Sequence, residues 1–359
     1  TREDGTVVEG LEEAVQGKSH WLETADPLPA EASEKDGVLT VSNGIITREF
    51  NIPEIGGTDF YTQRYYNEYI EKELLEEEAV PDVYLGLYDE TYDEVYDDTG
   101  CKTEVDSLTS MDVAIIPDGA IKIDPDYYFV GGTEKENTFV FDGYEIQEEC
   151  EKPFEWAPSE SYGDPAAEDW PPKGVHIEFC FSAPDTFPEV YQGIKIKVIY
   201  EMYDKLPAMK KRVEVTNTGA QQIMIGRMAL EVLNGNEDMD ELLTLETSYT
   251  CGDQSAIPVN VPLPCSCDEE KKDSPFAELA GMNHTCYDVG PAYDLVTDQT
   301  FASFDTYELI HSTYWFELQM RERMGMYRKL YPWITDNPLT FHNVEALTKE
   351  KIDHAAGAG

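Results

Sequence analysis

Carboxylates dominate the chemistry open to this chain, with 73 Asp and Glu against 26 Lys and Arg and a formal charge of −47. In YLGLYDETYDEVYDD, Tyr84, Tyr88, Tyr92 and Tyr96 recur every four residues, a spacing that lines them along one stripe of a helix with the acids solvated beside them. Such a ladder suits a sugar face or a calcium ion, but an exposed edge carrying amphipathic tyrosines is the simpler reading. NGNEDMDE has methionine where a calcium loop of the EF-hand type needs glycine at its sixth position. The seven cysteines, Cys101, Cys150, Cys180, Cys251, Cys265, Cys267 and Cys286, form no CxxC pair. Zinc sites draw on closely paired ligands, so Cys265-Ser-Cys267 assigns no metal, and buried thiols with one or two disulfides are the expectation.

Two further groups concern sugars. Trp156 and Trp170 each offer an indole face that suits the apolar side of a pyranose. Trp170, however, precedes Pro171 and Pro172, whose fixed φ and missing N–H donors make a stiff corner, and packing against its own sheet is the simpler role. Asn283-His284-Thr285 is a glycosylation sequon, relevant at Asn283 if the protein is secreted.

The charge also excludes partners. At −47 the chain repels phosphate backbones and anionic lipid, so nucleic acid is not expected to bind. No stretch reaches the ~20 apolar residues of a membrane span, and a chain that begins at Thr1 without Met is expected to have been processed or cut. Self-repulsion of this size fits a saline or cation-rich medium, hence an extracellular or secreted location.

These groups must be held by something, and 41% apolar content over 359 residues suffices for a real core. Residues 1–35 lack a core-forming period and read as a solvated acidic arm. Asn43-Gly44 sits between two short β-rich runs, a hairpin signal. RYYNEYIEKELLEEEAV fits a helix by propensity and a strand by its tyrosines. From 127 to 260 short β-branched or aromatic runs alternate with Gly, Pro, Asn and Asp turns. In GIKIKVIYEMYD the side chains of Ile194, Ile196, Val198, Tyr200 and Met202 share one face, with Lys195, Lys197 and Glu201 on the solvent side. A large antiparallel β-sandwich over residues 36–305 follows. Residues 250–300 read as loop. FELQMRERMGMYRKLY reads as an amphipathic linker helix whose apolar stripe is Phe316, Met320, Met324 and Tyr327, within a linker region 306–338. LTFHNV reads as a strand and ALTKEKIDHAAGAG as a helix, so 339–359 look like one β/α unit.

WPPKGVHIEF, KVIYEMYDKLPAMKKRVEVTN, YDVGPAYDL, TFASFDTYELIH, RERMGMYRKLYPW and TDNPLTFH together resemble the N-terminal half of melibiase-like, α-galactosidase-like glycoside hydrolases. In these a β-supersandwich precedes a (β/α)8 barrel, so the resemblance implies a mostly β chain, a linker helix and the first unit of such a barrel at 339–359. It also implies carbohydrate as substrate, with no cofactor and no metal. The catalytic carboxylates would lie on later barrel strands, so no catalytic residue is assigned here and no activity is expected of residues 1–359 alone. His342 and Asn343, near the end of the first barrel strand, and Trp170 are the candidate substrate-binding residues. The partner would be the remainder of the polypeptide, carrying the barrel, or a homo-oligomer. The acidic insertions near 72–98 and 266–273 depart from the family pattern and leave open an extracellular structural or carbohydrate-binding protein that keeps the sandwich without catalysis.

Overall fold

The computed structural model describes residues 20–23, 26–89, 126–132, 137–156, 170–248, 279, 282–286, 291, 293–333 and 349. Five strands form the first sheet in simple chain order: β1 (Glu31–Lys35), β2 (Val38–Ser42), β3 (Ile46–Asn51), β4 (Tyr61–Asn67) and β5 (Lys72–Glu73). The expected hairpin joins β2 to β3. Gly44 takes the positive φ of +75° that such a tight turn requires, while the Asn43 side-chain oxygen Oδ1 accepts from Ile45 and Ile46 N–H. The Asn43 amide reaches across to the Tyr203 and Leu206 carbonyls, so the turn also fastens this sheet to the other one.

The second sheet collects β6 (Val83–Tyr88), β7 (Asp126–Val130), β8 (Thr138–Gln147), β9 (Gly174–Ser182), β10 (Ile194–Tyr203), β11 (Ala208–Asn217), β12 (Ile223–Leu233), β13 (Leu243–Thr247), β14 (Asn283–Cys286), β15 (Tyr293–Leu295), β16 (Gln299–Ala302) and β17 (Thr306–Ile310). Its order is β13-β17-β11-β10-β9-β8-β7-β6-β12-β14, with β15 beside β12 and β16 beside β11. Only the β7–β8 pairing, among those described, is parallel. A short helix α1 (Glu237–Leu242) and the longer α2 (Phe316–Leu330) complete the described elements. Mostly β, with two sheets, is therefore the architecture, as the alternation of its strands predicts.

The sheets meet through an aromatic core. Phe50 on β3 lies 5.2 Å from Phe179 on β9 and 5.0 Å from Tyr200 on β10, ring centre to ring centre. Phe60 packs 4.7 Å from Phe179 and 5.3 Å from Phe181. Tilted and edge contacts of this kind add to the burial of large apolar faces. Gly174 opens β9 directly after the Trp-Pro-Pro-Lys corner, whose Trp170–Pro171 bond is cis. A Cβ there would stand 2.1 Å from the Met202 carbonyl oxygen on paired strand β10. Backbone cannot yield as a side-chain tip does, so Gly174→Ala is expected to lower stability by roughly 1–3 kcal/mol, read as a lower urea midpoint at unchanged slope.

Several expectations need correction. Tyr84 and Tyr88 belong to strand β6, not to a helical stripe, because β6 is paired on both edges and buried almost throughout; Tyr92 and Tyr96 lie outside the described residues. The open choice for 64–80 falls to strand at β4. Within 250–300, which reads as loop, β14, β15 and β16 are strands; each is only three or four residues long, too short for a periodic signal. The 1–35 segment is not an unstructured arm throughout: Trp21 is fully buried, and β1 pairs with β2 although it stays mostly exposed. Glu201, placed on the solvent side of β10, is instead 1% exposed. The segments of 339–359 read as strand and helix lie outside the described residues except Lys349.

Helix α2 forms over the residues its period predicts, but the other way round. The residues it buries are Glu322, Gly325, Met326 and Leu330, whereas Phe316 and Met324 of the expected apolar stripe are exposed.

Candidate functional site

Four strands each carry a charged residue on an inward-facing position, and the sandwich brings all four together. Arg48 on β3 donates to Glu308 on β17, with Nη1 2.9 and 2.7 Å from its two carboxyl oxygens. The other Arg48 nitrogens reach Thr62 on β4, Tyr200 on β10 and Glu231 on β12. Lys211 on β11 stands 2.9 Å from Asp82 and 3.4 Å from Glu231. The Tyr200 hydroxyl donates to Asp82 at 2.7 Å. Arg48, Glu231, Glu308, Lys211 and Asp82 are all at most 2% exposed.

Charge counting constrains this cluster. Three carboxyls and two cations would leave one uncompensated negative charge in a low-dielectric interior, an expensive state that a bound proton relieves. Glu308 is the carboxyl best placed to hold it: burial pushes it well up, and the neighbouring Glu231 carboxylate adds to that push against the pull of Arg48. Asp82 is also raised by burial, against the pull of Lys211 and Arg48. For Glu231 burial acts in the same direction but is outweighed by Arg48 and Lys211 together, so it is held below its ordinary value. Two carboxyls with opposed affinities for a proton resemble an acid/base pair in outline. Both are nevertheless sealed between the sheets. A cleft lined by Thr62, Leu75, Glu76, Asp82 and Val232 approaches from the side, with a volume of about 10 Å3, room for a single water rather than a sugar.

A second set lies on the outer face of the larger sheet. His176 and Glu201 face each other in the β9–β10 register, as do Glu201 and Lys210 across β10–β11. Glu201 accepts from His176 at 3.0 Å, Lys210 at 2.8 Å, Tyr203 at 2.9 Å and Glu151 N–H at 2.7 Å. Burial opposes its ionisation, but His176 and Lys210 outweigh it and bring the carboxyl down to about 2. His176 also bonds Glu178 at 3.2 Å; the two carboxylates raise it despite its burial. Cys150 lies beside this ladder, and burial pushes its thiol up, which makes it a poor nucleophile. The polar tips of the ladder answer one another across and along adjacent strands, the arrangement of a sheet-stabilising network.

Glu322 organises a third set. It accepts from His20 at 2.9 Å, Trp21 at 3.2 Å, His311 at 2.8 Å and both the hydroxyl and N–H of Ser312. Ser, His and Glu in contact suggest a nucleophile triad, but the geometry denies it. His20 Nε2 faces both Ser312 and Glu322, while its Nδ1 accepts from Leu22 N–H, so His20 does not stand between the acid and the Ser312 hydroxyl as a relay base must. His311 bridges Glu322 and the Thr244 hydroxyl instead, with Nδ1 and Nε2 each 2.8 Å from its partner. Burial again opposes ionisation of Glu322 and is outweighed by His20, His311 and Ser312, which hold it at about 2.

The sequence-predicted residues fall elsewhere. Trp170 is described, and its indole N–H donates to the Leu330 carbonyl at the end of α2 at 2.9 Å. Its ring is 4.8 Å from Phe154, 5.4 Å from Trp333 and 6.3 Å from Trp156. Tyr331 adds a further ring 5.4 Å from Trp333. His342 and Asn343 lie outside the described residues. Asn283 is 4% exposed and its amide donates to Asp240 at 3.1 Å, so modification at that nitrogen would require β14 to open. Cys150 and Cys180 are free thiols, and Cys101, Cys251, Cys265 and Cys267 lie outside the described residues. No group of metal-ligating side chains occurs among the described residues, and none of the described helices is long and apolar enough to cross a membrane.

The buried cluster is what the sequence reading missed. A usable signal was present: Arg48 lies between Ile46 and Phe50, Lys211 between Met209 and Val213, and Glu308 between Thr306 and Ile310, each a charge at an inward position of an alternating strand.

No protein-family model and no curated protein matches the sequence. Among solved structures the chain is similar to the galactosidase domain of alpha-galactosidase-sucrose kinase AgaSK, at 11% identity and a TM-score of 0.37, covering 79% of this chain and 42% of that one. It is similar to GH36 alpha-galactosidase AgaB from Geobacillus stearothermophilus at 6% identity and a TM-score of 0.38, with 79% and 41% covered. For the alpha-galactosidase from Lactobacillus brevis the values are 10%, 0.37, 84% and 42%. The chain thus spans about two fifths of the length of these structures.

Proposed function

We propose that this chain is the non-catalytic β portion of a secreted glycoside hydrolase that acts on α-galactosidic or related glycosidic bonds, with the catalytic carboxylates outside residues 1–359. The observation that carries this reading is the enclosure of Glu231 and Glu308. A glycosidase of the retaining type needs two carboxyls about 5–5.5 Å apart that flank a bound sugar, and these two are fully buried among Arg48, Lys211 and Tyr200. Support for the sugar class comes from the blocks that carry the family resemblance. WPPKG and RERMGMYRKLYPW meet in one joint where Trp170 bonds Leu330, 160 residues on, and rests on Trp333. That joint lies in the linker region 306–338, ahead of 339–359, the stretch to which the resemblance assigns the first barrel unit.

The test is hydrolysis of an aryl α-galactoside. The longest product of the gene is expected to release the aryl alcohol, residues 1–359 alone to release none, and Trp170→Ala in the long product to lower the thermal midpoint. Turnover by residues 1–359, or none by the long product, overturns the reading.

One observation favours the binding-protein alternative. Phe154 is 48% exposed and lies within a group of three tryptophans. Saturable quenching of tryptophan fluorescence by melibiose, lost in Phe154→Ala, would support that alternative; the joint reading expects no quenching.

A further inference from the structure

The chain holds two Asn-Gly dipeptides, Asn43-Gly44 and Asn234-Gly235, and the fold treats them differently. Asparagine before glycine is open to self-attack, because no Cβ on the second residue shields its amide nitrogen from the asparagine side chain. Asn43 is 1% exposed, and its whole side-chain amide is engaged. Oδ1 accepts from Ile45 and Ile46 N–H, and Nδ2 donates to the Tyr203 and Leu206 carbonyls. The Gly44 N–H donates to the Ser42 hydroxyl at 3.2 Å. Turning the Asn43 side chain toward Gly44 would break all of these bonds in a buried site.

Asn234 follows β12 and is half-buried. Its side chain is tethered by one long hydrogen bond, from Nδ2 to the carbonyl of exposed Glu78 at 3.3 Å. Gly235 pairs with Leu75 in an antiparallel bridge. The bonds of that bridge run from Glu76 N–H to the Asn234 carbonyl at 2.8 Å and from Asn236 N–H to the Leu74 carbonyl at 2.9 Å. They use the groups on either side of Gly235, whose own N–H makes no hydrogen bond among the described residues.

We propose that Asn234 is a site of spontaneous deamidation and that Asn43 is its protected counterpart. The Gly235 amide nitrogen forms a bond to Asn234 Cγ, the Cγ–Nδ2 bond breaks, and ammonia leaves with the amide proton, closing a succinimide. Water then opens the ring. Attack at Cγ gives aspartate, whereas attack at the former peptide carbonyl gives isoaspartate, in which the main chain runs through the side chain and is one atom longer. The longer product has nowhere to go. A Cβ on Gly235 would stand 2.3 Å from Asn283 Oδ1 and 2.5 Å from Met239 Sδ, and the next residue, Asn236, caps α1 by accepting from Asp238 and Met239 N–H. Isoaspartate is therefore expected to part 234–236 from 74–76. Either product also adds a carboxylate to the cleft that Glu76, Glu78 and Asp82 already line, where like charges repel.

Peptide mapping by mass spectrometry tests this, on the chain held at physiological temperature and mildly alkaline pH for increasing times. The segment with Asn234 should gain the mass of an amide exchanged for an acid, as isoaspartate and aspartate together, at least roughly tenfold faster than the segment with Asn43. In urea, where neither dipeptide is held, the two rates should converge. Native protein in which Asn234 stays intact, or converts no faster than Asn43, overturns the proposal. So does a rate gap that survives unfolding, because it places the difference in local sequence rather than in the fold. Hydrogen exchange at the Glu76 and Asn236 amides reads the consequence. Aged protein should lose protection there, while Asn234→Asp, which carries the charge on a chain of normal length, should keep it. Protection unchanged in aged protein, or lost equally in Asn234→Asp, refutes the parting by a longer chain.

Discussion

Replacing Arg48 with Met is expected to destabilise the sandwich by about 3–5 kcal/mol, the cost of breaking a buried ion pair from one side, with a fall in Tm on the order of 10 °C. The substitution preserves much of the volume against Phe50, Tyr65 and Tyr200, over which the guanidinium sits at 5.0, 5.2 and 4.7 Å. What it removes is the only described cation that touches both Glu231 and Glu308 from the first sheet. Glu308→Gln should behave in the opposite manner. Because Glu308 is the carboxyl best placed to hold the proton, an amide reproduces that state, and at neutral pH this variant is expected to be neutral or more stable. Glu231→Gln, which removes a true carboxylate between two cations, should cost nearly as much as Arg48→Met. Equilibrium urea unfolding of the three variants checks the order; equal losses from Glu308→Gln and Glu231→Gln would refute the assignment of the proton.

The pH dependence has a definite sign. Glu308 is raised in the folded state, so the folded protein keeps a proton that the unfolded chain releases above its ordinary value of 4.5. That contribution is intact below 4.5 and is lost as pH rises toward the folded value. In Glu308→Gln the decline on the alkaline side should flatten.

Glu322→Ala carries the second large effect, again about 3–5 kcal/mol. It strands the donors of His20, Trp21, His311 and Ser312 in a site with little access to water. Because these donors come from the N-terminal stretch and from the end of β17, losing the acceptor frees α2 on both sides. Trypsin should then cut at Arg321, Arg323 and Arg328, bonds that a docked helix protects. Glu322 is lowered to about 2. Its contribution is therefore present above 4.5, the ordinary value, and is lost as pH falls through about 2. Glu201 works in the same direction, so the acid limb of stability should be shallower in Glu322→Ala. Unchanged protease sensitivity would show that apolar contacts alone seat the helix.

The larger outline was legible because strands announce themselves by alternation. Ile194 to Met202 alternates, and it fell into place beside β11 with the expected inward face. What alternation does not carry is the nature of the second side. Glu201 looked like a solvent residue, yet His176, Lys210 and the Glu151 backbone close over it, and those partners lie on other strands or on a loop. The same limit explains α2. Its period was readable, but a carboxylate seated by His20 and His311, 302 and 11 residues away, outweighed the thioether stripe in choosing the inner side. The Tyr84–Tyr88 spacing failed differently: four residues apart is also an even number, so it keeps two side chains on one face of a strand as well as of a helix.

Trp21 and Gly325 touch, with the indole edge 3.0 Å from where a Cβ on Gly325 would stand. The opening and the closing stretches of the described chain are thus buckled to one another, and neither can peel away by itself. Unravelling from either extremity is blocked by the opposite one, so trimming a couple of dozen residues at the front should loosen the back, and protection against hydrogen exchange at both places should vanish together.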